Sequence, residues 1–367
     1  MSDLRVVRAE GDPVARGRQI GRELGQLIER SLGFYRRYFE RRGVASQELQ
    51  DRLAPYLAAA EERLPTYMTL IKAMAEGAMV PVWELFAVNA FEELEPQLLR
   101  RDGEEPFLER DAGSRDARHF PADRCSSFAS AGPGFTLLGH NEQWLAGDTG
   151  NVAVVVEMPT EGTPAVASPT VVCCIPAVGM NEFGGAQGIQ SLVSPDDAIG
   201  VPRVLVSRYS LDSRDRLDAV GRAALEGRAG GYGHVFAFST GDTFIIETTG
   251  TRSSLLEGPG PHTNHYLDPA LAERGALPSP GSHARYERMI DLLAERRPDT
   301  PEAVMEILRD HQSDPQAICL HADPEAGEEA AAVVFSVVCD VEARRMWVAP
   351  GNPCVTPYQE IELFGMP

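Results

Sequence analysis

The sequence has little positive charge and no long apolar run. Of its 367 residues, 34 are Lys or Arg and 54 are Asp or Glu, which gives a formal net charge of -20. This excess of negative charge disfavours binding to nucleic acid and to anionic membranes. No stretch of about 18 apolar residues is present to span a bilayer, and the first residues lack the apolar segment of a signal peptide. We therefore expect a cytoplasmic protein with no nucleic-acid or membrane partner.

Recognisable metal and nucleotide motifs are also lacking. The close ligand-like pairs, His321-Ala-Asp323 and His262-Thr-Asn-His265, have no partners at the spacing of a structural zinc site. The glycine-rich segment Gly184-Gly185-Ala-Gln-Gly188 lacks the surroundings of a P-loop or a dinucleotide fingerprint and is typical of a turn. In a long intracellular chain, the six cysteines are more typically reduced than paired. The sequence predicts no metal and no cofactor.

The first part of the chain has the pattern of helices. Asp12 is placed to cap a helix that Pro13 opens, and apolar residues then recur at helical spacing as far as Phe39. Further helical patterns cover residues 46–74 and 81–94, where Glu92 and Glu93 are expected on the surface or between helices. The polar segment 101–119 has no periodicity and is interpreted as a loop or linker. We predict a helical N-terminal segment with linker over residues 1–124.

The character of the sequence changes to strands after this linker. Cys125 begins a short run that ends at Gly132-Pro133-Gly134, a turn signal, and residues 135–141 are interpreted as the return strand. Further strands are predicted at 152–158, 170–175, 234–238, 243–247, 332–339 and 345–349, and helices at 211–225, 282–296 and 300–308. Antiparallel hairpins around internal helices predict an α+β core over residues 125–367, which together with the N-terminal segment forms one integrated domain.

Seven short motifs occur in an order that points to a family. They are Asp123-Arg-Cys-Ser-Ser-Phe128, Gly139-His-Asn-Glu-Gln-Trp144, Gly179-Met-Asn-Glu-Phe-Gly184, Thr263-Asn-His265, Ser282-His-Ala-Arg285, Ile318-Cys-Leu-His321 and Ala349-Pro-Gly-Asn-Pro353. Each is weak alone, but together they resemble the acyl-coenzyme A:isopenicillin N acyltransferase-like family. That family belongs to the N-terminal-nucleophile (Ntn) hydrolases. The resemblance implies a four-layer αββα sandwich of antiparallel sheets.

The resemblance also implies a mechanism centred on Cys125. Precursors of this class cut themselves before the nucleophile, here between Arg124 and Cys125. The freed α-amine has an ordinary pKa of about 7.7 to 8.0 and can accept the thiol proton at neutral pH. The thiolate would then form an acyl thioester. The alternative from the residues alone is that Cys125 is a buried core thiol, and a Cys-His enzyme also stays open because eight histidines are present.

Other motif positions acquire expected roles from the family. Asn264 matches the asparagine that stabilises the oxyanion, and the resemblance favours this role, although the residues alone favour a turn asparagine. Ser282 and Arg285 are expected to bind substrate, although Ser282 also fits a simple helix N-cap. Asn141 and Gln143 are expected at catalytic positions, and Ser127 and Glu142 at substrate-binding positions.

Two positions depart from the family pattern. Gln143 stands where an aspartate implicated in self-processing is usual, and Arg124 stands where glycine is common. Glutamine cannot act as a base. Glu142 is adjacent, but neighbouring side chains of a strand point to opposite faces, so we expect it to replace the aspartate only if the strand bulges.

Three functions follow from these residues. The first is a cysteine-dependent acyltransferase or amidohydrolase that cuts itself at Arg124-Cys125. The second is an uncut acyltransferase that uses internal Cys125 with a coenzyme A or carrier-protein thioester donor in natural-product biosynthesis. The third is a non-catalytic binding protein of the same fold. The expected partners are a small-molecule amide or acyl-thioester substrate and, for the second function, an acyl-carrier protein, while the oligomeric state is left open.

Overall fold

Five helices form most of the N-terminal part of the chain. The computed structural model describes residues 4–98, 125–272, 280–312 and 314–364; the predicted linker 101–119 and Arg124 lie outside these ranges. The first helix begins as predicted, because Asp12 Oδ1 accepts the N–H of Ala15 at 2.8 Å and Pro13 is its first residue. The helices are α1 (Pro13–Arg41), α2 (Ser46–Arg63), α3 (Pro65–Ala78), α4 (Val82–Asn89) and α5 (Phe91–Leu98).

Within the described residues, eight strands form the larger of two sheets. Their spatial order is β1 (Arg5–Gly11), β4 (Val152–Pro159), β5 (Val166–Val171), β6 (Gly179–Asn181), β7 (Gly185–Leu192), β8 (Gly231–Phe238), β9 (Thr243–Thr248) and β10 (Ser253–Glu257). Strand β1 is parallel to β4, with Arg5 opposite Ala153, and the other neighbours are antiparallel. The larger sheet therefore contains a strand from before the predicted linker.

In the part of the chain that the structure describes, six antiparallel strands form the smaller sheet. Their order is β11 (Gly260–His262), β2 (Ser126–Gly132), β3 (Phe135–Leu145), β12 (Ala331–Asp340), β13 (Arg345–Ala349) and β14 (Gln359–Ile361). Strands β2 and β3 are the predicted hairpin, and Gly132 pairs with Phe135, so that Pro133 and Gly134 form its tip. This two-residue turn sets the register of the whole hairpin.

The two sheets face each other, and helices cover both outer faces. Strands β2 and β3 contact β7 and β8 of the larger sheet. The remaining α-helices of the described residues are α6 (Arg203–Leu211), α7 (Arg216–Ala223), α8 (Pro269–Ala272), α9 (Pro280–Arg296) and α10 (Pro301–Leu308). Helices α1, α6 and α7 contact the larger sheet, whereas α9 and α10 contact the smaller one. The predicted α+β fold with an αββα sandwich is confirmed.

Several predicted element boundaries were wrong. Strand β1 was not predicted, because residues 1–100 were interpreted as mainly helical. The helical pattern of 46–74 is broken between α2 and α3 at Leu64, before Pro65, as proline disfavours a helical preceding residue. Strand β5 ends at Val171, so Cys173 and Cys174 lie in the following turn rather than in a strand. Residues 211–225 contain only the end of α6 and the short α7.

Over the described ranges, no helix combines the length and the apolar character that crossing a bilayer requires.

Candidate active site

Cys125 lies immediately before β2 and faces the interior of the sandwich. Its side chain is buried, with 4% of its surface exposed. Its backbone φ of +80° is in the left-handed region, which is unusual for a residue other than glycine. Because this conformation is strained by roughly 1 to 3 kcal/mol, the surrounding structure must hold it in place.

Glu142 is the charged residue that contacts the Cys125 thiol. Ser126 pairs with Asn141, so the next position of the register places Cys125 opposite Glu142. Cys125 Sγ lies 3.3 Å from Glu142 Oε1 and 3.9 Å from the carbonyl oxygen of Gln143. Strand β3 does not need to bulge to achieve this. The irregularity lies instead in the neighbouring strand β12, between Val333 and Phe335.

A chain of polar side chains continues from Glu142 into the interior. Glu142 Oε2 lies 3.0 Å from His140 Nε2, and His140 Nδ1 lies 2.7 Å from Ser127 Oγ. Gln190 of β7 then donates an N–H to Ser127 Oγ. All of these side chains are buried, and the chain joins the thiol to the facing sheet. In this arrangement the Glu142 carboxylate can accept a proton, and the His140 imidazole can stabilise that carboxylate through their contact.

Burial governs the acidity of the thiol. Loss of solvation raises the pKa of Cys125 well above its ordinary value, and the negative charge of Glu142 raises it further. A hydrogen bond to the backbone at Gln143 has the opposite, smaller effect on this pKa. In the uncut chain Cys125 is therefore a thiol at neutral pH, and its reaction requires a base that takes the proton.

The side chains of Gln143 and Asn141 point away from Cys125. Both residues alternate with Glu142 along β3 and thus lie on its opposite face. Asn141 Nδ2 donates to the carbonyls of Leu308 and Ile318, each at 2.9 Å, and Gln143 Nε2 donates to the carbonyl of Ile318 at 3.1 Å. These amides connect β3 to the end of α10 and to the segment that follows it. Their predicted catalytic contact with the thiol is not present in this arrangement.

Asn264, Ser282 and Arg285 form a second buried group next to β2. Arg285 Nη2 donates to Asn264 Oδ1 at 2.8 Å, and Arg285 Nε donates to Ser126 Oγ at 3.1 Å. The backbone N–H of Asn264 donates to Ser282 Oγ at 2.7 Å, and Asn264 Nδ2 donates to the carbonyl of Ser191 at 3.1 Å. Arg285 thereby connects Asn264 to the residue that follows Cys125.

The N-cap interpretation of Ser282 needs correction. Helix α9 begins at Pro280, so Ser282 lies inside its first turn. Its hydroxyl accepts from Asn264 and contacts His265 Nδ1 at 2.8 Å. Ser282 therefore positions the loop that carries Asn264.

A small cavity borders Glu142 on the side of the N-terminal helices. Its volume is about 40 Å³, above the roughly 10 to 15 Å³ that one water molecule needs. Glu92 reaches the same cavity and accepts a hydrogen bond from Tyr232 Oη at 2.8 Å. The rest of the lining is mainly apolar and includes Trp144 and Phe335. Glu92 is thus part of the site environment, not a purely surface charge.

Sequence reasoning did not identify His140, Gln190, Glu92 or Tyr232 as parts of this site. His140 could have been found, because it lies two residues before Glu142 and therefore on the same face of the strand. Gln190 and Tyr232 come from the facing sheet, and no sequence signal placed them opposite β2 and β3.

Within the described ranges, two groups of side chains have the composition of metal ligands. Cys125, His140 and Glu142 each offer a ligand atom within 4.8 Å of the others, but they already contact one another as described above. The second group, His311, Cys319, His321 and Cys354, lies on the far side of β3, behind the carbonyls that receive Asn141 and Gln143.

Two facing sheets between helical layers, antiparallel apart from the β1–β4 pair, are the arrangement of the Ntn hydrolases. Within this class, the family model described as acyl-coenzyme A:6-aminopenicillanic acid acyl-transferase matches residues 130–354, more than half of the chain, and the chain belongs to this family. The resemblance inferred from the seven motifs is confirmed. No curated protein matches this sequence at a significant level.

Solved structures with a similar arrangement share little sequence with this chain. One is penicillin V acylase from Agrobacterium tumefaciens, at 15% identity and a TM-score of 0.43, with 62% of this chain and 83% of that chain covered. Two variants of conjugated bile acid hydrolase from Clostridium perfringens match at 13% and 12% identity, with TM-scores of 0.38 and 0.41. Each of these covers 65% of this chain and 97% of the other.

Proposed function

We propose that the protein is a cysteine-dependent acyltransferase or amidohydrolase that forms an acyl thioester on Cys125. Its family and fold indicate an acyltransferase or amidohydrolase of Ntn type. The observation that carries the assignment to Cys125 is the 3.3 Å contact between its buried Sγ and Glu142 Oε1. A buried thiol beside a carboxylate that His140 supports has both a nucleophile and a proton acceptor.

The first reaction of this thiol is proposed to be self-cleavage at Arg124-Cys125. Glu142 takes the thiol proton, and Sγ adds to the carbonyl carbon of Arg124. The C–N bond then breaks, the α-nitrogen takes the proton, and water hydrolyses the resulting thioester, which leaves a carboxylate on Arg124 and a free amine on Cys125. The strained φ of +80° at Cys125 supports this step, because the strain is released when the peptide bond is lost. Glu142 would thus perform the role that the family gives to the aspartate at the position of Gln143.

The freed amine then serves as the base for acyl transfer. It accepts the thiol proton, and Sγ attacks the carbonyl carbon of the substrate. The negative oxygen of the tetrahedral intermediate requires hydrogen-bond donors, and the amide of Asn264 is proposed to supply one. The intermediate collapses to the thioester as the protonated amine returns its proton to the departing amine or thiol. Water or an acceptor amine finally releases the acyl group.

A second candidate is an enzyme that never cuts itself. The observation that favours it is again Glu142, because a carboxylate in contact with Sγ provides a base without a free α-amine. In this case internal Cys125 would accept the acyl group from a coenzyme A or carrier-protein thioester. Acyl-carrier protein would then be a partner.

The proposed substrates are small amides or acyl thioesters with an apolar acyl group. The family is described by transfer from acyl-coenzyme A to 6-aminopenicillanic acid, and the similar solved structures are named for penicillin V and conjugated bile acids. The apolar lining around Glu92 and Glu142 favours an apolar acyl chain.

Intact mass under denaturing conditions tests the proposal. Wild-type protein should give two fragments that break between Arg124 and Cys125, and Cys125→Ala should stay full length. Cys339→Ala is the matched control, because Cys339 is also a buried thiol but lies in β12. A full-length wild type that gains an acyl group on Cys125 from a thioester donor would support the second candidate. Acyl transfer by Cys125→Ala at the wild-type rate would exclude both.

A further inference from the structure

Four potential metal ligands converge near the end of helix α10. They are His311, Cys319, His321 and Cys354, and one ligand atom from each lies within 4.8 Å of all the others. His311 Nε2 is 3.0 Å from His321 Nε2, which in turn is 3.2 Å from Cys354 Sγ. Cys319 is fully buried beneath the two exposed histidines. Two thiols and two imidazoles thus face a common point.

The size of this group matches a tetrahedral zinc site. With Zn–N distances of about 2.0 to 2.1 Å and Zn–S distances of about 2.3 Å, ligand atoms at tetrahedral angles are roughly 3.3 to 3.8 Å apart. The 3.0 Å between the two histidine nitrogens and the 3.2 Å between His321 Nε2 and Cys354 Sγ are slightly shorter, so a small outward movement of these side chains would accommodate the ion. Two thiolates and two neutral imidazoles would balance the charge of Zn²⁺.

We propose that His311, Cys319, His321 and Cys354 bind one Zn²⁺ as a structural Cys₂His₂ site. Four protein ligands fill the tetrahedral coordination sphere and leave no position for substrate or water, which is typical of structural rather than catalytic zinc. A disulfide between the two cysteines would not account for the convergence of the two histidines. The proposal replaces the expectation from the sequence that the chain binds no metal.

The surrounding hydrogen bonds support the ligand positions. Asn352 Nδ2 donates to Leu320 O at 2.7 Å and lies 3.6 Å from Cys319 Sγ, and an N–H near a thiolate is a common outer-shell interaction. The backbone N–H of Cys319 donates to Asp310 O, and Arg309 Nε donates to Pro353 O, each at 3.0 Å. The three loops that supply the ligands are therefore already joined to one another.

The site has a defined place relative to the candidate active site. Cys319 directly follows Ile318, whose carbonyl receives the side-chain amides of Asn141 and Gln143. These two residues flank Glu142 in β3. Zinc bound to Cys319 would therefore fix the segment around Ile318, which supports strand β3 behind Glu142. In a reducing compartment, where disulfides are rare, a bound metal can crosslink such loops in place of a disulfide.

Metal analysis of the full-length chain is the first test. The protein should be produced without a polyhistidine tag in zinc-supplemented medium and should contain about one zinc per chain, as expected for one closed site. His321→Ala and Cys354→Ser should lose the bound zinc, and Cys339→Ser should retain it. The proposal is overturned if the wild type contains no zinc and takes up none after reduction, or if mass analysis finds a Cys319–Cys354 disulfide in freshly prepared protein.

Cobalt substitution keeps the test decisive if a variant fails to fold. Chelator-treated wild-type protein, titrated with Co²⁺ alone, should develop the d–d bands of a tetrahedral site together with thiolate-to-cobalt charge transfer. Zn²⁺ should then abolish both. Loss of one ligand should weaken zinc binding by more than the roughly 10- to 100-fold that loss of an outer-shell partner costs. An octahedral cobalt spectrum without charge transfer would overturn the proposed ligand set.

Discussion

Replacement of Glu142 by glutamine tests the central contact of the candidate active site. Glu142→Gln keeps the size of the side chain but removes its charge and its ability to accept a proton. At an effective dielectric constant of about 20, two negative charges separated by the 3.3 Å between Cys125 Sγ and Glu142 Oε1 repel by roughly 5 kcal/mol. A thiolate and a carboxylate thus do not coexist here, and the proton of the thiol must pass to Glu142.

The variant should therefore change two rates in opposite directions. The first bond-forming reaction of Cys125 in the uncut chain, either self-cleavage or acylation by a thioester, should slow by about 10²- to 10⁴-fold, the usual contribution of a general base. This corresponds to about 3 to 5 kcal/mol of activation free energy. Direct alkylation of Cys125 should become faster at a given pH, because the pKa of the thiol is no longer raised by the negative charge of Glu142.

Time-resolved intact mass measures the first rate, and iodoacetamide labelling with peptide mapping measures the second. Glu92→Gln is the matched control, since Glu92 borders the same cavity and also raises the pKa of Cys125, but more weakly. It should slow the first reaction by less than about tenfold, below the range of a general base. Wild-type cleavage and acylation rates in Glu142→Gln would refute the proposed proton transfer, and slower alkylation would refute the electrostatic argument.

Three further predictions concern the surroundings of the thiol and the core. Asn264→Ala should lower kcat by about 10²- to 10³-fold with little change in KM, as for an oxyanion donor, and an effect on KM alone in steady-state kinetics would contradict that role. Gly188→Ala should destabilise the fold, because its Cβ would lie 2.5 Å from Ser127 Oγ. Gly221→Ala, in an open part of α7, should instead stabilise the fold by up to about 1 kcal/mol in urea unfolding. Equal changes in the free energy of unfolding for the two variants would contradict this packing. Burial lowers the pKa of His234 to about 3, so its contribution to stability is complete above pH 6.5 and declines as the pH falls toward 3. His234→Phe should reduce this decline by up to about 1.4 kcal/mol per pH unit in unfolding experiments between these limits, and an unchanged slope would show that His234 is not buried in its neutral form.

The position of Glu142 could have been deduced from the sequence. A turn with Pro133 and Gly134 at its tip pairs Gly132 with Phe135, and counting back along both strands places Cys125 opposite Glu142. The prediction considered the alternation of side chains but not this register. The family resemblance placed Gln143 at a catalytic position, but its side chain lies on the other face of β3.

Other features depend on contacts that a sequence pattern does not contain. Gly11, Asp12 and Pro13 mark the boundary between strand β1 and α1, but the partner strand β4 lies far along the chain, and no local pattern reveals that pairing. The four proposed zinc ligands come from three loops, at spacings unlike those of zinc fingers. In contrast, the cap of α1 was predicted, because Asp12 accepts a hydrogen bond from an N–H group within the first turn of its own helix.

The parallel pairing of β1 with β4 also constrains how the chain can fold during synthesis. Arg5 and Ala153 are opposite each other in the sheet but about 150 residues apart in the chain. A ribosome that adds about 5 to 20 residues per second exposes β1 for roughly 7 to 30 s before β4 has been made. The larger sheet therefore cannot close until well after Cys125 has been synthesised. Any self-cleavage that requires the assembled sandwich would be a late event. After cleavage, the two fragments would remain associated because β1 and β4 belong to the same sheet.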